Sequence, residues 1–325
     1  MRRRCAHEPV VGRKEGFRLS RRKRDEEGSG VLARAASRVG VALLWLLHWL
    51  PLPVLAPLGV ALGELLFRFA RGRRHVVLTN LRLCFTELDD AARRALARRH
   101  FHVLGRSLLE RSLLWWAPRA RIERVVRFDG DQRLRELLTA GRPVILLAPH
   151  FVGLDMGGTR VTMSFDIVSI YARQKNPVFD RWFLHGRSRF GDQLLLARED
   201  GARATVKAMK AGRPFYYLPD MDYRRKDSIF VPFFGVPAAT ITGLSRLSRL
   251  AGAAVVPCVT RMLPGGQGYR VEFGEPWADF PTADVEADTA RMNRWVEEVI
   301  RSMPEQYYWV HRRFKTRPEG EPRPY

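Results

Sequence analysis

The chain has 325 residues, of which 46% are apolar, so it can build a sizeable core and is not disordered throughout. Its formal net charge of +22 predicts a strongly positive surface, suited to nucleic acid, anionic lipid or an acidic partner. Cys5, Cys84 and Cys258 are widely spaced and odd in number, which argues against a disulfide framework, a redox pair or a thiolate metal site. A reducing compartment fits this cysteine usage best.

Residues 1–38 form a basic N-terminal extension, and residues 1–30 are charged and aperiodic, a pattern that predicts disorder. Residues 39–67 follow as a hydrophobic run, long enough to cross a bilayer, which needs about 20 apolar residues. Pro51, Pro53 and Pro57 divide this run into two short halves, so a bent, re-entrant or monotopic anchor competes with one straight span.

The alternative for residues 39–67 is a buried helical hairpin of a soluble protein. Tryptophans beside the prolines and arginines at both ends instead favour a membrane anchor. A cleavable signal peptide is not predicted, because the run begins far from Met1 and no small-residue cleavage site closes it.

Residues 68–325 are predicted to form one α/β domain. A helix, a turn and a second helix come first, with Thr86 and Asp89 as the cap of the second helix. Short apolar runs then alternate with amphipathic stretches. The predicted strands are "RPVILLAPH", "FDIVSIYAR", "GDQLLLARE", "RPFYYLPD", "AAVVPCVTR" and "YRVEFGEP", and the predicted helices are "DRWFLHGRSRF", "GARATVKAMKAG", "TGLSRLSRLAG" and "DTARMNRWVEEVIRSM". This alternation predicts a layered fold in which helices flank a mostly parallel sheet.

His150 is the first candidate for chemistry. Eight histidines and 34 acidic residues in 325 give roughly one H-x4-[D/E] pair by chance, so the spacing from His150 to Asp155 carries no weight alone. Its context does, because His150 lies just past the carboxyl end of a predicted buried strand, where open α/β sheets place ligand sites. Asp155 could orient the imidazole, with nearby glycines allowing a tight turn, and leave His150 as a general base. The alternative is a histidine that only ends a strand.

Other site chemistries are less well supported. The sequence has no G-x-S-x-G elbow, and Cys258 lies within an apolar strand pattern where a structural thiol is expected. Asp220 and Asp222 would share one face of an extended segment, but no histidine pair accompanies them. We therefore expect neither a metal nor a cofactor, and solvated or arginine-paired aspartates are the commoner case.

Seven segments together make the chain recognisable. In order they are "TNLRLCFTE", "PHFVGLDMGG", "YARQKNPVFDRW", "GRSRFGD", "LPDMDY", "FVPFFGVPAATITG" and "PEQYYWVHRRFKTRPEG". From about residue 39 to the C terminus, the sequence resembles the late acyltransferases of lipid A biosynthesis, the lauroyl/myristoyl transferase family. Its closing stretch is most similar to the lauroyl-type members.

The resemblance implies a membrane-anchored α/β acyltransferase that faces the cytoplasm at the bacterial inner membrane. It would move an acyl chain from acyl carrier protein to a hydroxyl of a hydroxyacyl chain on a Kdo-bearing lipid A precursor. His150 would be the base and Asp155 its orienting acid, where many relatives have glutamate. Arg173 is a candidate for oxyanion or phosphate binding.

Further substrate-binding candidates lie in the same motifs: Asn176, Arg187, Arg189, Asp220 and Asp222. A basic rim of Arg173, Arg187, Arg189, Arg312 and Arg313 would attract the acidic carrier protein and the anionic acceptor. The predicted partners are therefore the carrier protein, the lipid A precursor and membrane lipids, without nucleic acid.

Two other functions remain open from sequence. A phospholipid-type acyltransferase, acting on a glycerophosphate acceptor, shares the H-x4-D logic but should lack the "PEQYYWVHRRFKTRPEG" ending. The more distant alternative is a non-enzymatic basic protein that is bound to the membrane or to nucleic acid. It is less favoured because the arginines are spread over the chain and the sequence has no nucleic-acid-binding motif.

Overall fold

A computed structural model describes residues 31–197, 201–223 and 228–325, with side chains from residue 35 onward. The helices are α1 (Val31–Leu47), α2 (Leu52–Phe69), α3 (Arg71–Cys84), α4 (Asp90–Trp116), α5 (Arg119–Val125), α6 (Gln132–Thr139), α7 (Leu154–Thr162), α8 (Pro177–Ser188), α9 (Gly201–Lys210), α10 (Gly243–Ala251) and α11 (Val285–Ser302). The strands are β1 (Val126–Asp129), β2 (Val144–Leu147), β3 (Val168–Ile170), β4 (Leu194–Leu196), β5 (Phe215–Tyr217), β6 (Ser228–Phe233), β7 (Val236–Ile241), β8 (Ala254–Met262) and β9 (Tyr269–Phe273). The predicted disorder of residues 1–30 lies outside the described residues, and residues 31–38 belong to α1.

The hydrophobic run forms the helical hairpin α1–α2. Pro51 adopts an extended conformation directly before α2 and Pro53 lies in its first turn, where proline is tolerated, whereas Pro57 lies inside the helix. The chain therefore breaks between α1 and α2, as predicted from the prolines. Of the described helices, α2 is long and apolar enough to cross a membrane, and a third of that segment is buried.

The hairpin is packed tightly onto the rest of the chain through α2 and α4. A Cβ atom on Gly63 would lie 2.2 Å from the carbonyl oxygen of Phe101, and one on Gly105 would lie 2.2 Å from the carbonyl oxygen of Gly59. Only glycine allows the two backbones to approach this closely. One face of α2 is thus fixed against the domain and the other is left exposed.

The predicted helix, turn and helix are α3 and α4. The cap prediction is partly wrong, because Asp89 alone caps α4, its carboxylate accepting a hydrogen bond from the Ala92 amide at 2.7 Å. Thr86 lies in the turn, three residues before the cap residue Asp89.

A seven-stranded sheet lies at the centre of the fold, in the order β1-β9-β8-β2-β5-β3-β4. All neighbouring strands are parallel except β8 and β9, so the predicted mostly parallel sheet is confirmed. All six predicted strands belong to it. The sequence did not predict β1, nor the separate antiparallel hairpin β6–β7.

Helices cover both faces of the sheet, which confirms the layered α/β class. Along β2, Val144 and Leu146 join a core with α4 and α7, whereas Ile145 and Leu147 join a core with α9 and α10. Successive side chains of a strand point to opposite faces, and β2 is buried on both, which explains its continuous apolar sequence.

Candidate active site

The site begins where two neighbouring parallel strands end. His150 follows β2 and Asp220 follows β5, and these strands pair with Leu147 opposite Tyr217. Because both strands run in the same direction, their carboxyl ends meet at one edge of the sheet. Residues 70 positions apart in the sequence are thereby brought into contact.

The acid that contacts His150 is Asp220. Its Oδ1 lies 2.7 Å from His150 Nδ1, and its Oδ2 accepts a hydrogen bond from the His150 backbone amide at 2.9 Å. Burial alone would raise the pKa of the Asp220 carboxyl, but the charge and hydrogen bonds of His150 outweigh it and hold that pKa below its ordinary value. A buried carboxylate thus holds both the backbone and the ring of His150, with Nδ1 as the ring nitrogen that contacts Asp220.

Asp155 occupies a different position from the one predicted. It lies in the first turn of α7, where its Oδ2 is 2.8 Å from Arg111 Nη2 and its Oδ1 is 3.1 Å from Arg187 Nη2. The expected hydrogen bond from His150 to Asp155 is therefore corrected: Asp220 takes that position, because its strand ends directly beside β2. Burial would raise the pKa of the Asp155 carboxyl, but the two arginines outweigh it and lower that pKa.

The glycines after His150 serve helix packing rather than the tight turn that was expected. Gly157 and Gly158 lie inside α7. A Cβ atom on Gly157 would lie 1.8 Å from Thr260 Oγ1, so this glycine lets α7 approach β8. Gly153, just before α7, has an ordinary negative φ of −82°.

The C-terminal segment packs beside the His150 loop. The Val152 amide donates to the Gln306 carbonyl at 2.8 Å, and the Tyr308 amide donates to the His150 carbonyl at 2.9 Å. Buried Asn80, from α3, donates to the carbonyl oxygens of Trp309 and His311 at 2.7 Å each. Three of the quoted sequence segments thus meet at one place and fix the loop that carries His150.

Asp222 also holds the C-terminal segment in place. Its carboxylate accepts hydrogen bonds from the Thr316 amide at 2.7 Å and the Thr316 hydroxyl at 2.8 Å, and its amide donates to His311 Nε2 at 3.0 Å. Within the described ranges, no group of three or more His, Cys, Asp or Glu side chains is placed to hold a metal ion. The polar atoms of Asp222 instead secure the C-terminal segment.

Two of the remaining predicted residues hold helix ends. The side-chain Oδ1 of Asn176 accepts hydrogen bonds from the Val178 and Phe179 amides in the first turn of α8, and its side-chain Nδ2 donates to the Ser37 hydroxyl of α1 at 2.9 Å. Arg189 donates to the carbonyl oxygens of Leu114 and Ala117 at the end of α4. Both side chains are therefore engaged in structural contacts rather than displayed toward a substrate.

The predicted basic rim is also only partly formed. Arg313 is 1% exposed and donates to the Ala239 carbonyl and the Thr240 hydroxyl, so it is a core residue and not part of a rim. Arg173 is exposed, 3.7 Å from the Asp180 carboxylate, and Arg312 is exposed near the ring of Tyr325. Of the predicted rim, Arg187 is the one in direct contact with Asp155.

A narrow cleft of about 40 Å³ begins at Arg111, Asp155 and Arg187 and runs between α4, α7, α8 and the sheet. Its walls are mainly apolar, including Leu114, Trp115, Ile167, Phe183, Tyr216 and Leu218. The sequence pattern did not indicate Arg111, because nothing in an arginine-rich helix distinguishes one arginine from the others. Asn80 lies in a quoted segment, but no local signal gave its role.

Comparison with known proteins identifies the family of the chain. A family model described as bacterial lipid A biosynthesis acyltransferase matches residues 26–316. The lipid A biosynthesis lauroyltransferase of Escherichia coli (strain K12) is 39% identical over 88% of this chain and 94% of its own length. The palmitoleoyltransferase of the same organism is 34% identical over 87% and 92%, and its myristoyltransferase is 32% identical over 84% and 83%.

Among solved structures, the 1-acyl-sn-glycerophosphate (LPA) acyltransferase of Thermotoga maritima aligns with 72% of this chain and 96% of that chain. The TM-score is 0.31 and the sequence identity is 14%. This likeness is too weak to bear on the fold or the chemistry.

Proposed function

Because the chain belongs to the bacterial lipid A biosynthesis acyltransferase family, we propose that it carries a fatty acyl chain, of lauroyl length or similar, from acyl carrier protein to a Kdo-bearing lipid A precursor. The acceptor would be a hydroxyl of one of the precursor's hydroxyacyl chains. The observation that carries this proposal is the contact of 2.7 Å between His150 Nδ1 and the buried carboxylate of Asp220. A histidine held in this way is suited to act as a general base.

In the proposed reaction, His150 Nε2 takes the proton of the acceptor hydroxyl as that oxygen attacks the thioester carbonyl carbon. A carbon–oxygen bond forms and the carbonyl electron pair moves onto oxygen. Collapse of this intermediate breaks the carbon–sulfur bond, and the proton on His150 passes to the departing thiolate. Asp220 stabilises the transient imidazolium, and no covalent acyl-enzyme is needed.

The apolar cleft provides a place for the acyl chain. It starts beside Asp155, five residues after His150, and is bordered by side chains such as Leu114, Ile167 and Phe183. A hydrocarbon chain that enters and widens this cleft leaves its thioester at the polar end, near the base. The depth to which the cleft opens would then set the preferred chain length.

The hairpin α1–α2 is the proposed membrane attachment. Ten of the fifteen large exposed hydrophobic side chains in the described part of the chain lie between Val39 and Phe69. The opposite face of α2 is fixed to α4 through glycines, so a straight span would draw α4 into the bilayer with it. We therefore favour a monotopic hairpin lying in the cytoplasmic leaflet of the inner membrane, with its tryptophans at the interface.

Mass spectrometry of lipid products tests the proposal. Purified protein is incubated with a tetra-acylated lipid A precursor or with a lysophosphatidate, and with carrier protein thioesters of several chain lengths. We expect the lipid A precursor to gain one acyl chain, His150→Ala to abolish most of the gain, and the exposed His75→Ala to act as wild type. Transfer to lysophosphatidate alone would establish the phospholipid-type activity instead.

The donor is tested by comparing carrier protein and coenzyme A thioesters of equal chain length at low and about 0.5 M salt, where charges are screened beyond a few ångströms. With a net charge of +22, the protein should lose apparent affinity for the acidic carrier more steeply than for coenzyme A. Equal salt dependence would remove the carrier protein as an electrostatic partner.

A further inference from the structure

A second cavity lies between the hairpin helix α1 and helix α8. Its volume is about 610 Å³, and it is bordered by Arg38, Pro177, Val178, Arg181, Trp182 and His185. This volume is within the usual range for ligand pockets. A hydrogen bond of 2.9 Å from Asn176 Nδ2 to the Ser37 hydroxyl joins the two helices next to the cavity. We refer to this cavity as the α1–α8 groove.

We propose that the α1–α8 groove binds the phosphate of an anionic phospholipid of the bilayer, such as phosphatidylglycerol, between Arg38 and Arg181. The inference goes beyond acyl transfer, because the lipid is a bound component of the membrane and not a substrate. It depends on the attachment of the hairpin α1–α2 to the bilayer and not on the chemistry at His150.

The groove carries positive charge without a counter-charge of its own. Arg38 and Arg181 are exposed, and neither has an ion pair within the described part of the chain. The acid of α8, Asp180, is buried and accepts hydrogen bonds from the Tyr171 hydroxyl at 2.6 Å and the Gln174 amide at 2.7 Å. The planar fork of a guanidinium matches a phosphate in both geometry and charge. Two such groups on separate helices therefore suit one phosphate.

A row of aromatic rings connects the groove to the tip of the hairpin. Trp49, in the turn after α1, is 68% exposed, and its ring centre lies 4.6 Å from that of His48. The row continues from His48 to Trp116 at 5.8 Å and from Trp116 to Trp182 at 4.8 Å. Tryptophan is enriched at the level of the lipid headgroups. With Trp49 at the interface, the row brings the groove close to the lipid phosphates.

The groove also offers apolar surface to the chains of a lipid. Val178 and Trp182 form part of its wall. On α1, Val39 directly follows Arg38, and Leu43 lies one turn further along; these two side chains are 60% and 55% exposed. A lipid whose phosphate contacts Arg38 can therefore place its chains along α1. Binding would bury apolar area as well as pair charges.

The position of the groove favours a bilayer phospholipid over the acceptor of acyl transfer. Arg181 and His185 border the groove, whereas Phe183, Gly186 and Arg187 border the acyl cleft. Because successive residues of a helix are set about 100° apart around its axis, these two sets face different sides of α8. An acceptor in the cleft would have to reach around α8 to contact Arg181. A bilayer phospholipid approaches the groove directly from the hairpin.

The test measures which lipids surround the membrane-bound protein. The full-length chain is placed in phosphatidylcholine vesicles that contain a small fraction of pyrene-labelled phosphatidylglycerol or pyrene-labelled phosphatidylcholine, and energy transfer from tryptophan to pyrene is recorded. We expect stronger transfer to phosphatidylglycerol. Arg38→Gln and Arg181→Gln should each lower this preference about fivefold, the usual effect of one basic side chain at an anionic membrane surface. Arg203→Gln, on exposed α9 at the opposite face of the sheet, is the matched control and should retain the preference.

Two further variants separate a bound lipid from diffuse attraction to a charged surface. Val178→Phe fills part of the groove without changing the charge, so it should remove most of the preference. Arg181→Lys keeps the charge but not the planar fork, so it should retain only part of the preference. Thermal midpoints verify folding. A wild-type preference in a folded Val178→Phe variant, or in Arg181→Lys, would show diffuse attraction and overturn the proposal.

Three other results would also reject the proposal. Equal energy transfer to both labelled lipids in the wild type would show that the protein has no phosphatidylglycerol site. Loss of the preference in excess inorganic phosphate would show a site for free phosphate. A raised KM for the lipid A precursor in Arg38→Gln, with the lipid preference unchanged, would assign the groove to the acceptor. The energy-transfer results do not require acyl transfer, so they remain decisive even if the proposed function fails.

Discussion

Asp220→Asn is the substitution that tests the active-site geometry most directly. The carboxylate accepts two hydrogen bonds from one residue, the Nδ1 of His150 at 2.7 Å and its backbone amide at 2.9 Å. An asparagine offers only one acceptor oxygen in the same position, and its NH₂ group must face the other donor. The two contacts cannot both survive.

Either orientation of the new side chain impairs the base. If the amide oxygen keeps the backbone contact, the NH₂ group faces Nδ1, the ring proton moves to Nε2, and the nitrogen that should accept the hydroxyl proton is blocked. If the amide turns over, the backbone amide loses its partner, at a cost of about 1–3 kcal/mol. The imidazolium loses its counter-charge in both cases.

We expect kcat to fall by about 10²–10⁴. The lower value corresponds to losing a charge-assisted hydrogen bond of about 3 kcal/mol, at 1.36 kcal/mol for each tenfold change, and the upper value to the wrong tautomer in a histidine–aspartate pair. The assay is acyl transfer followed by mass spectrometry, with thermal midpoints to verify folding. Asp129→Asn, at the exposed end of β1, is the matched control.

A double-variant cycle supplies the refutation. If Asp220 acts through His150, the variant that combines His150→Ala with Asp220→Asn should be no slower than His150→Ala alone. Rate losses that multiply would show that Asp220 acts independently of His150, and a near-normal rate for Asp220→Asn would show that the contact has no catalytic role.

Three further predictions concern the rest of the molecule. Gly63→Val should destabilise the fold by about 3 kcal/mol or more because its side chain would collide with the α4 backbone, whereas Gly72→Val has open space and should cost far less; thermal midpoints compare the two. Burial lowers the pKa of His100 from 6.5 to about 4. The free energy of unfolding should therefore fall by about 3 kcal/mol as the pH drops from 6.5 to 4. Urea unfolding in detergent measures this fall, which the His100→Gln variant should lack. Trp49→Glu, on the exposed hairpin, should weaken retention on membranes washed with salt, and equal weakening by Leu250→Glu, exposed on α10, would contradict the hairpin anchor.

Much of the architecture could be predicted because it depends on local patterns. Apolar runs alternating with amphipathic stretches gave six strands of the main sheet and four of the helices around it, and the prolines near Pro51 gave the break in the hydrophobic hairpin. The hairpin β6–β7 escaped this reasoning because prolines in both strands obscure the strand pattern. Strand β1 was not predicted because it is only four residues long and partly exposed.

The position of His150 at the end of a buried strand, and the motifs around it, were determined by the sequence alone, because a strand's length and its apolar character are local properties. Its acid partner was decided by tertiary structure. Proximity in sequence suggested Asp155, but the sheet order places β5 beside β2 and brings Asp220 into contact from 70 positions away. Likewise, packing of α4 and α8 around α7 brought Arg111 and Arg187 to Asp155. Contacts with Ala239 and Thr240 of β7 hold Arg313 in the core. Sequence spacing cannot encode such contacts, because which strands and helices become neighbours is settled only when the whole chain packs.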